Sequence, residues 1–102
     1  MTTEFRVCDT KQIVQQVGMN NIWAISGGRI EHRPTGITLL VGSGYRVTID
    51  LDWDDTYVVR RVYVRAGKTT IKGERKNVYA DQVGEVAYKA SCFHNDYTPE
   101  QW

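Results

Sequence analysis

The sequence predicts an α+β domain, a mainly antiparallel sheet of about five strands packed by a long C-terminal helix and a short N-terminal one. Three observations predict it. Helical spacing marks both ends of the chain, a period of two runs between them from Asn21 to Lys72, and the turns joining the strand candidates are too short for parallel crossovers. The 102 residues make one domain's length of chain, 1–102. No apolar run approaches the roughly 18 residues of a membrane span, and the mean hydropathy is −0.45.

The first element is a helix over 10–17. Asp9 supplies an N-cap carboxylate, Asp9 and Gln12 have capping-box spacing, Ile13, Val14 and Val17 share a face, and Gly18 suits a left-handed C-cap. Next, the apolar run Ile22 to Ile25 reads as a strand ended by Ser26-Gly27-Gly28. Arg29 to Arg33 is the second strand candidate, closed by the Pro34-Thr35-Gly36 turn. Ile37 to Val41 is the third, followed by Gly42-Ser43-Gly44.

The clearest alternation follows. Tyr45, Val47, Ile49, Leu51 and Trp53 point one way, and Arg46, Thr48, Asp50 and Asp52 the other. A two-residue turn at Asp54-Asp55 leads into the return strand, Tyr57 to Arg65. Ala66-Gly67-Lys68 then turns into a last strand, Thr69 to Lys72. Tyr79, Val83, Val86, Ala90 and Phe93 recur at helical spacing, predicting a helix over 78–93 with Asn77 as N-cap and a polar tail after it. Gly84 in that helix points to close packing on the sheet. The expected core is Val47, Ile49, Leu51, Val58, Val62, Val83, Val86 and Phe93.

A turn at Asp54-Asp55 places Leu51 opposite Val58 and Val47 opposite Val62. Val47, Leu51, Val58, Val62 and Val64 then face the helices. The opposite, open face carries Arg46, Thr48, Asp50 and Asp52 with Tyr57, Val59, Arg61, Tyr63 and Arg65. Aromatics interleaved with arginines suit base stacking and phosphate contact, and Tyr and Arg also anchor protein interfaces. A solvated face with Asp50 near Arg61 accounts for the same residues. This register leaves Arg60 on the core side opposite Ile49, which asks for a bulge or a side chain reaching past the edge.

From Val58 to Lys76 the chain carries Arg60, Arg61, Arg65, Lys68, Lys72, Arg75 and Lys76 against Glu74 alone, whereas Asp50 to Asp55 carries acids and no base. A basic stripe tracks a polyanion, and lysines on an edge strand also guard against aggregation. The candidate binding residues are therefore Tyr57, Arg61, Tyr63, Arg65, Lys68, Lys72, Arg75 and Lys76.

No catalytic signature stands out. Asp50-x-Asp52-x-Asp54-Asp55 has the opening spacing of a calcium loop, but Asp55 and Arg61 occupy the places of its glycine and glutamate. His32 and His94 lack metal-ligand spacing, and Cys8 and Cys92 are neither a zinc set nor a disulfide framework. His94 follows Ser91-Cys92 too closely to face the thiol across a helix. No metal, cofactor or catalytic residue is expected. The start lacks signal-peptide features, so the cytoplasm is the expected compartment.

Three blocks resemble a family of small bacteriophage and prophage proteins. Val17-Gly18-Met19-Asn20-Asn21-Ile22-Trp23-Ala24-Ile25-Ser26-Gly27-Gly28-Arg29 is similar to its L-G-G-N-K-F-x-A-M-T-G-A-K pattern, with Gly18, Asn20, Ala24 and Gly27 coinciding. Asp55-Thr56-Tyr57-x-Val59 resembles its D-T-Y-x-V, and Val78-Tyr79-Ala80-Asp81-Gln82-Val83 its V-Y-A-D-Q-L. Asn21 and Gly28 depart from the pattern. The resemblance implies a phage origin, hence the host cytoplasm, and supplies no catalytic residues.

The function expected from these readings is a non-enzymatic phage accessory protein that binds a macromolecule, with a host or phage protein as partner and no membrane. A nucleic-acid-binding module is the alternative, a minor virion component is a third reading, and homo-oligomerisation is left open.

Overall fold

The structure, a computed structural model, describes residues 4–92 and Trp102. Helix α1 (Thr10–Val17) starts where Asp9 accepts from the Lys11 amide at 3.1 Å. It stops at Gly18, whose φ of 88° is open to glycine without strain. Ile13 and Val17 are its buried stripe.

The chain continues as a second helix, α2 (Met19–Ser26), where a strand over 22–25 was expected. A four-residue apolar run has no period of its own. Ile22 and Ile25 are buried three positions apart while Trp23 and Ala24 are exposed, which is a helix face. Gly27 caps α2 in the left-handed region, with its amide donating to Trp23.

Five strands follow: β1 (Ile30–Arg33), β2 (Gly36–Gly42), β3 (Tyr45–Leu51), β4 (Tyr57–Arg65) and β5 (Lys68–Val78). Each pairs antiparallel with the next, in the order β1-β2-β3-β4-β5. The last strand therefore runs well past Lys72. Helix α3 (Val83–Ser91) begins later than the expected 78, and its N-cap is Gln82 rather than Asn77. Asn77 instead sits at φ 58° beside Val78, which is buried opposite Tyr57. The Tyr79–Val83 spacing imitates a helix, but Val78 is worth more buried as the end of the strand. Phe93 and the polar tail 94–101 lie outside the described residues.

The β3–β4 turn decides the faces. Asp55 donates to the Asp52 carbonyl at 3.2 Å, Asp55 has φ 67°, and the Asp52 amide donates to Thr56 at 2.8 Å. This is a three-residue loop, Trp53-Asp54-Asp55, in which a tight turn is followed by a left-handed residue. The expected two-residue turn is one residue short. One residue of slip turns a whole strand over. Val47 therefore faces Arg61, Ile49 faces Val59 and Leu51 faces Tyr57.

All three helices pack on one face of the sheet. There Ile37, Leu39, Val47, Ile49 and Val59 are fully buried against Ile13, Val17, Ile22, Val83, Ala87 and Ala90. Of the expected core, Val47, Ile49, Val83 and Val86 lie here, and Leu51 is half-buried at its edge. Val58 and Val62 are buried on the other face, and Val64 is half-buried beside them. Gly84 meets α1 and not the sheet: a Cβ there would lie 2.6 Å from the Val17 carbonyl oxygen and 2.7 Å from Asn21 Nδ2.

On the opposite face Arg33 grips the buried Asp50 at 2.7 Å, and Thr35 donates to the same carboxylate at 2.8 Å. The expected Asp50–Arg61 neighbourhood does not form, because the two residues are on opposite faces. Arg60 is no longer anomalous. It bonds Glu74 and Glu4, each at 2.5 Å, and the Phe5 ring lies 4.9 Å from its guanidinium carbon. The segment Glu4–Cys8 is tied to this side by Arg6 and Cys8 amides donating to Leu51 and Pro34. Cys8 and Cys92 are both free thiols. Among the described residues no helix is long and apolar enough to cross a membrane.

Candidate interaction surface

The expected Tyr/Arg face divides in two. Tyr57 is buried under the helices, where its hydroxyl donates to Gln16 Oε1 and burial pushes the phenol above its ordinary pKa. Arg61 donates through Nε to the Ala90 carbonyl at 2.6 Å, and its guanidinium lies 5.2 Å from the Trp102 ring. Arg75 donates to the Trp102 backbone oxygen at 3.1 Å, and Lys76 stands 3.8 Å from Glu74. These four have architectural partners. Between β5 and α3, Arg75, Lys89, Glu85 and Trp102 also line a shallow cavity of about 90 Å³, within which Lys89 pairs with Glu85 at 3.0 Å.

The remaining four, Tyr63, Arg65, Lys68 and Lys72, come together at the β4–β5 turn. Ala66 and Gly67 both have positive φ, 52° and 78°, the mirror-image turn that matches strand twist. It sets Arg65 directly opposite Lys68. Two cations facing each other across a hairpin destabilise it, so this pairing is not explained by stability. Lys72 sits at an irregularity between the Val62–Ile71 and Arg61–Gly73 pairs, and its Nζ lies 5.9 Å from the Tyr63 ring centre. Tyr63 packs against Tyr45 with ring centres 5.0 Å apart and planes at 49°. Among the described residues no carboxylate stands within 4 Å of Arg65, Lys68 or Lys72.

The fold adds two cations to this end of the sheet. Arg46, one residue into β3, is 3.9 Å from Glu31. Arg29 is fixed beside the β2–β3 turn by donating to the Ser26 carbonyl at 3.0 Å and that of Val41 at 3.3 Å. The cationic end thus runs from the start of β1 to the start of β5, a width of about 19 Å. Neither arginine has a sequence signal of this role, since the neighbourhood arises from strand order. Asp52, Asp54 and Asp55 lie in the loop at the other end of β4, and Asp50 lies next to it. In that loop Asp54 accepts from the Thr56 hydroxyl and amide, which hold its carboxyl below the ordinary range.

The geometry offers an anion-binding surface: flexible ammonium and guanidinium groups beside an aromatic pair. Among the described residues no group of three His, Cys, Asp or Glu side chains converges on a metal position. Comparison with protein-family models, curated proteins and solved structures finds no match to this chain.

Proposed function

We propose that this chain is a small, non-enzymatic phage accessory protein that acts in the host cytoplasm by binding a macromolecular partner, a host protein with an acidic surface. The observation that carries the reading is the opposition of Arg65 and Lys68 at the β4–β5 turn. Like charges held face to face, with no carboxylate within 4 Å among the described residues, are relieved by an anionic partner. The phage-like blocks support the accessory role, and Tyr63 beside Lys72 supplies the mixed aromatic and cationic character of interface anchors.

A second reading, nucleic acid as the partner, gains from one feature. Asp50, which in the expected register shared a face with the Tyr/Arg residues, is on the other face, away from a phosphate bound there. Among the described residues, Arg65, Lys68 and Lys72 then meet a phosphate chain with no carboxylate within 4 Å of them. The two readings separate in one experiment. Nuclease-treated host lysate is passed over immobilised wild type and the Arg65→Ala/Lys68→Ala/Lys72→Ala variant, and both proteins are run on immobilised DNA over a salt gradient. A captured protein lost with the variant supports the first reading. Salt-dependent DNA retention lost with the variant supports the second, and identical behaviour of the two proteins in both assays refutes the assignment of this surface.

A further inference from the structure

The two ends of the β3–β4–β5 ribbon are opposite in charge. One carries Arg65 and Lys68, and the other carries the loop Asp52-Trp53-Asp54-Asp55. The loop is exposed and holds Trp53, whose surface is 55% accessible, between the carboxylates. An accessible aromatic flanked in sequence by acids is interface chemistry, complementary to guanidinium and ammonium groups. Arg6 pairs with Asp55 and leaves the loop negative overall.

The ends cannot satisfy each other within one molecule. They are separated by β4, roughly 26 Å of extended chain, about three Debye lengths at physiological salt. β5, an edge strand, carries Lys68, Lys72, Arg75 and Lys76, and such charges discourage edge-to-edge pairing.

We propose that the occupant of the cationic end is the acidic Trp53 loop of a second copy of this chain. The contact joins different patches, so it is heterologous and propagates head to tail as short linear arrays instead of closing into a two-fold dimer. It rests on the same reading of the Arg65–Lys68 end as an anion-binding contact surface and adds a second occupant, one that competes with the host partner for it.

The test uses sedimentation velocity on three forms of the full chain, with circular dichroism confirming that each is folded. The tip-reversed form is Arg65→Glu/Lys68→Glu. The loop-neutralised form is Asp52→Asn/Asp54→Asn/Asp55→Asn, in which each residue keeps one side-chain oxygen as an acceptor for the loop's own hydrogen bonds. Wild type is expected to grow in mass with concentration at about 0.01 M salt and to return to monomer near 1 M salt. Each variant alone is expected to stay monomeric, because one of the two patches is gone. An equimolar mixture is expected to form dimers that grow no further, since it contains one intact loop and one intact tip. If the triple loop variant fails to fold, Asp52→Asn/Asp55→Asn, which leaves Asp54 on Thr56 and the remaining charge offset by Arg6, serves in its place. A wild type that is monomeric throughout, growth that survives 1 M salt, or a mixture without dimers overturns the proposal. Host-partner capture by the loop-neutralised form reports separately on the cationic surface, because its tip is untouched.

Discussion

Val47 is paired with Arg61 across β3 and β4, on the face the helices cover. The arginine is therefore an interior strut, donating to the Ala90 carbonyl in the last turn of α3 and lying over Trp102. A carbonyl at a helix end has no partner within its helix, and Arg61 supplies one from the sheet. The same residue taken as solvent-facing looks like a nucleic-acid contact. What separates the two assignments is Trp53, the extra residue in the β3–β4 loop.

Arg61→Ala is expected to destabilise the fold by about 1–3 kcal/mol, the cost of leaving a partly buried carbonyl without its charged donor. Arg65→Ala, at an exposed tip, is expected to stay within about 0.5 kcal/mol. Its effect is favourable at low salt, where the repulsion from Lys68 is largest. Urea titration of both variants measures the contrast, and equal losses would place both arginines in the same environment.

Gly84→Ala is expected to destabilise although alanine is the better helix former. The propensity gain is about 1 kcal/mol. The new methyl meets the Val17 carbonyl oxygen at 2.6 Å and must push α3 away from α1. Overpacking of this kind costs about 1–3 kcal/mol, so the net change in thermal or chemical denaturation is a loss. Gly84→Ser is expected to lose more.

Asp50→Ala removes the buried partner of Arg33 and the acceptor of Thr35. Breaking one side of such a pair costs about 3–5 kcal/mol when both groups are buried. Arg33 retains solvent contact, so a loss of about 2–4 kcal/mol is expected. A loss under about 1 kcal/mol in urea denaturation would mean that the carboxylate is solvated.

Acid is expected to release the Glu4–Cys8 segment before the sheet melts. The hydrogen bond from Arg60 holds the Glu4 carboxyl below its ordinary value of 4.5. A folded-state pKa lowered in this way contributes stability that is complete above the ordinary value and is lost as pH falls through the folded one. The pair is largely exposed on the Glu4 side, so Glu4→Gln should cost under about 1 kcal/mol at neutral pH. It should cost nothing once the wild-type carboxyl is protonated. Amide exchange at Arg6 and Cys8, whose N–H groups tie the segment down, should quicken over the same interval.

Removing apolar volume at Ile49 should be costlier than at Leu51. Ile49 has no accessible surface and Leu51 is half-buried beside the core. Ile49→Ala is expected at about 2–5 kcal/mol. Leu51→Ala, which the sequence places among the core residues, is expected below it. Denaturant midpoints of the two variants give the order directly.

The sequence by itself determined the α+β class, helix α1, the positions of the five strands, with β5 cut short at Lys72, and the run of short antiparallel turns. Capping residues, glycines and alternating side chains are local signals, and local geometry follows from them. It also placed the cations of the β4–β5 hairpin. Only the tertiary structure decided that Ile22–Ile25 is helical, because the period of so short a run is set by the surface it packs against. It decided which face of β4 is buried, because Asp52–Thr56 closes a loop one residue longer than Asp54-Asp55 implies, and every side chain beyond a turn inherits its length. It also decided that Arg29 and Arg46 share an end of the sheet with Arg65 and Lys68, since strand order brings together residues that no spacing along the chain connects.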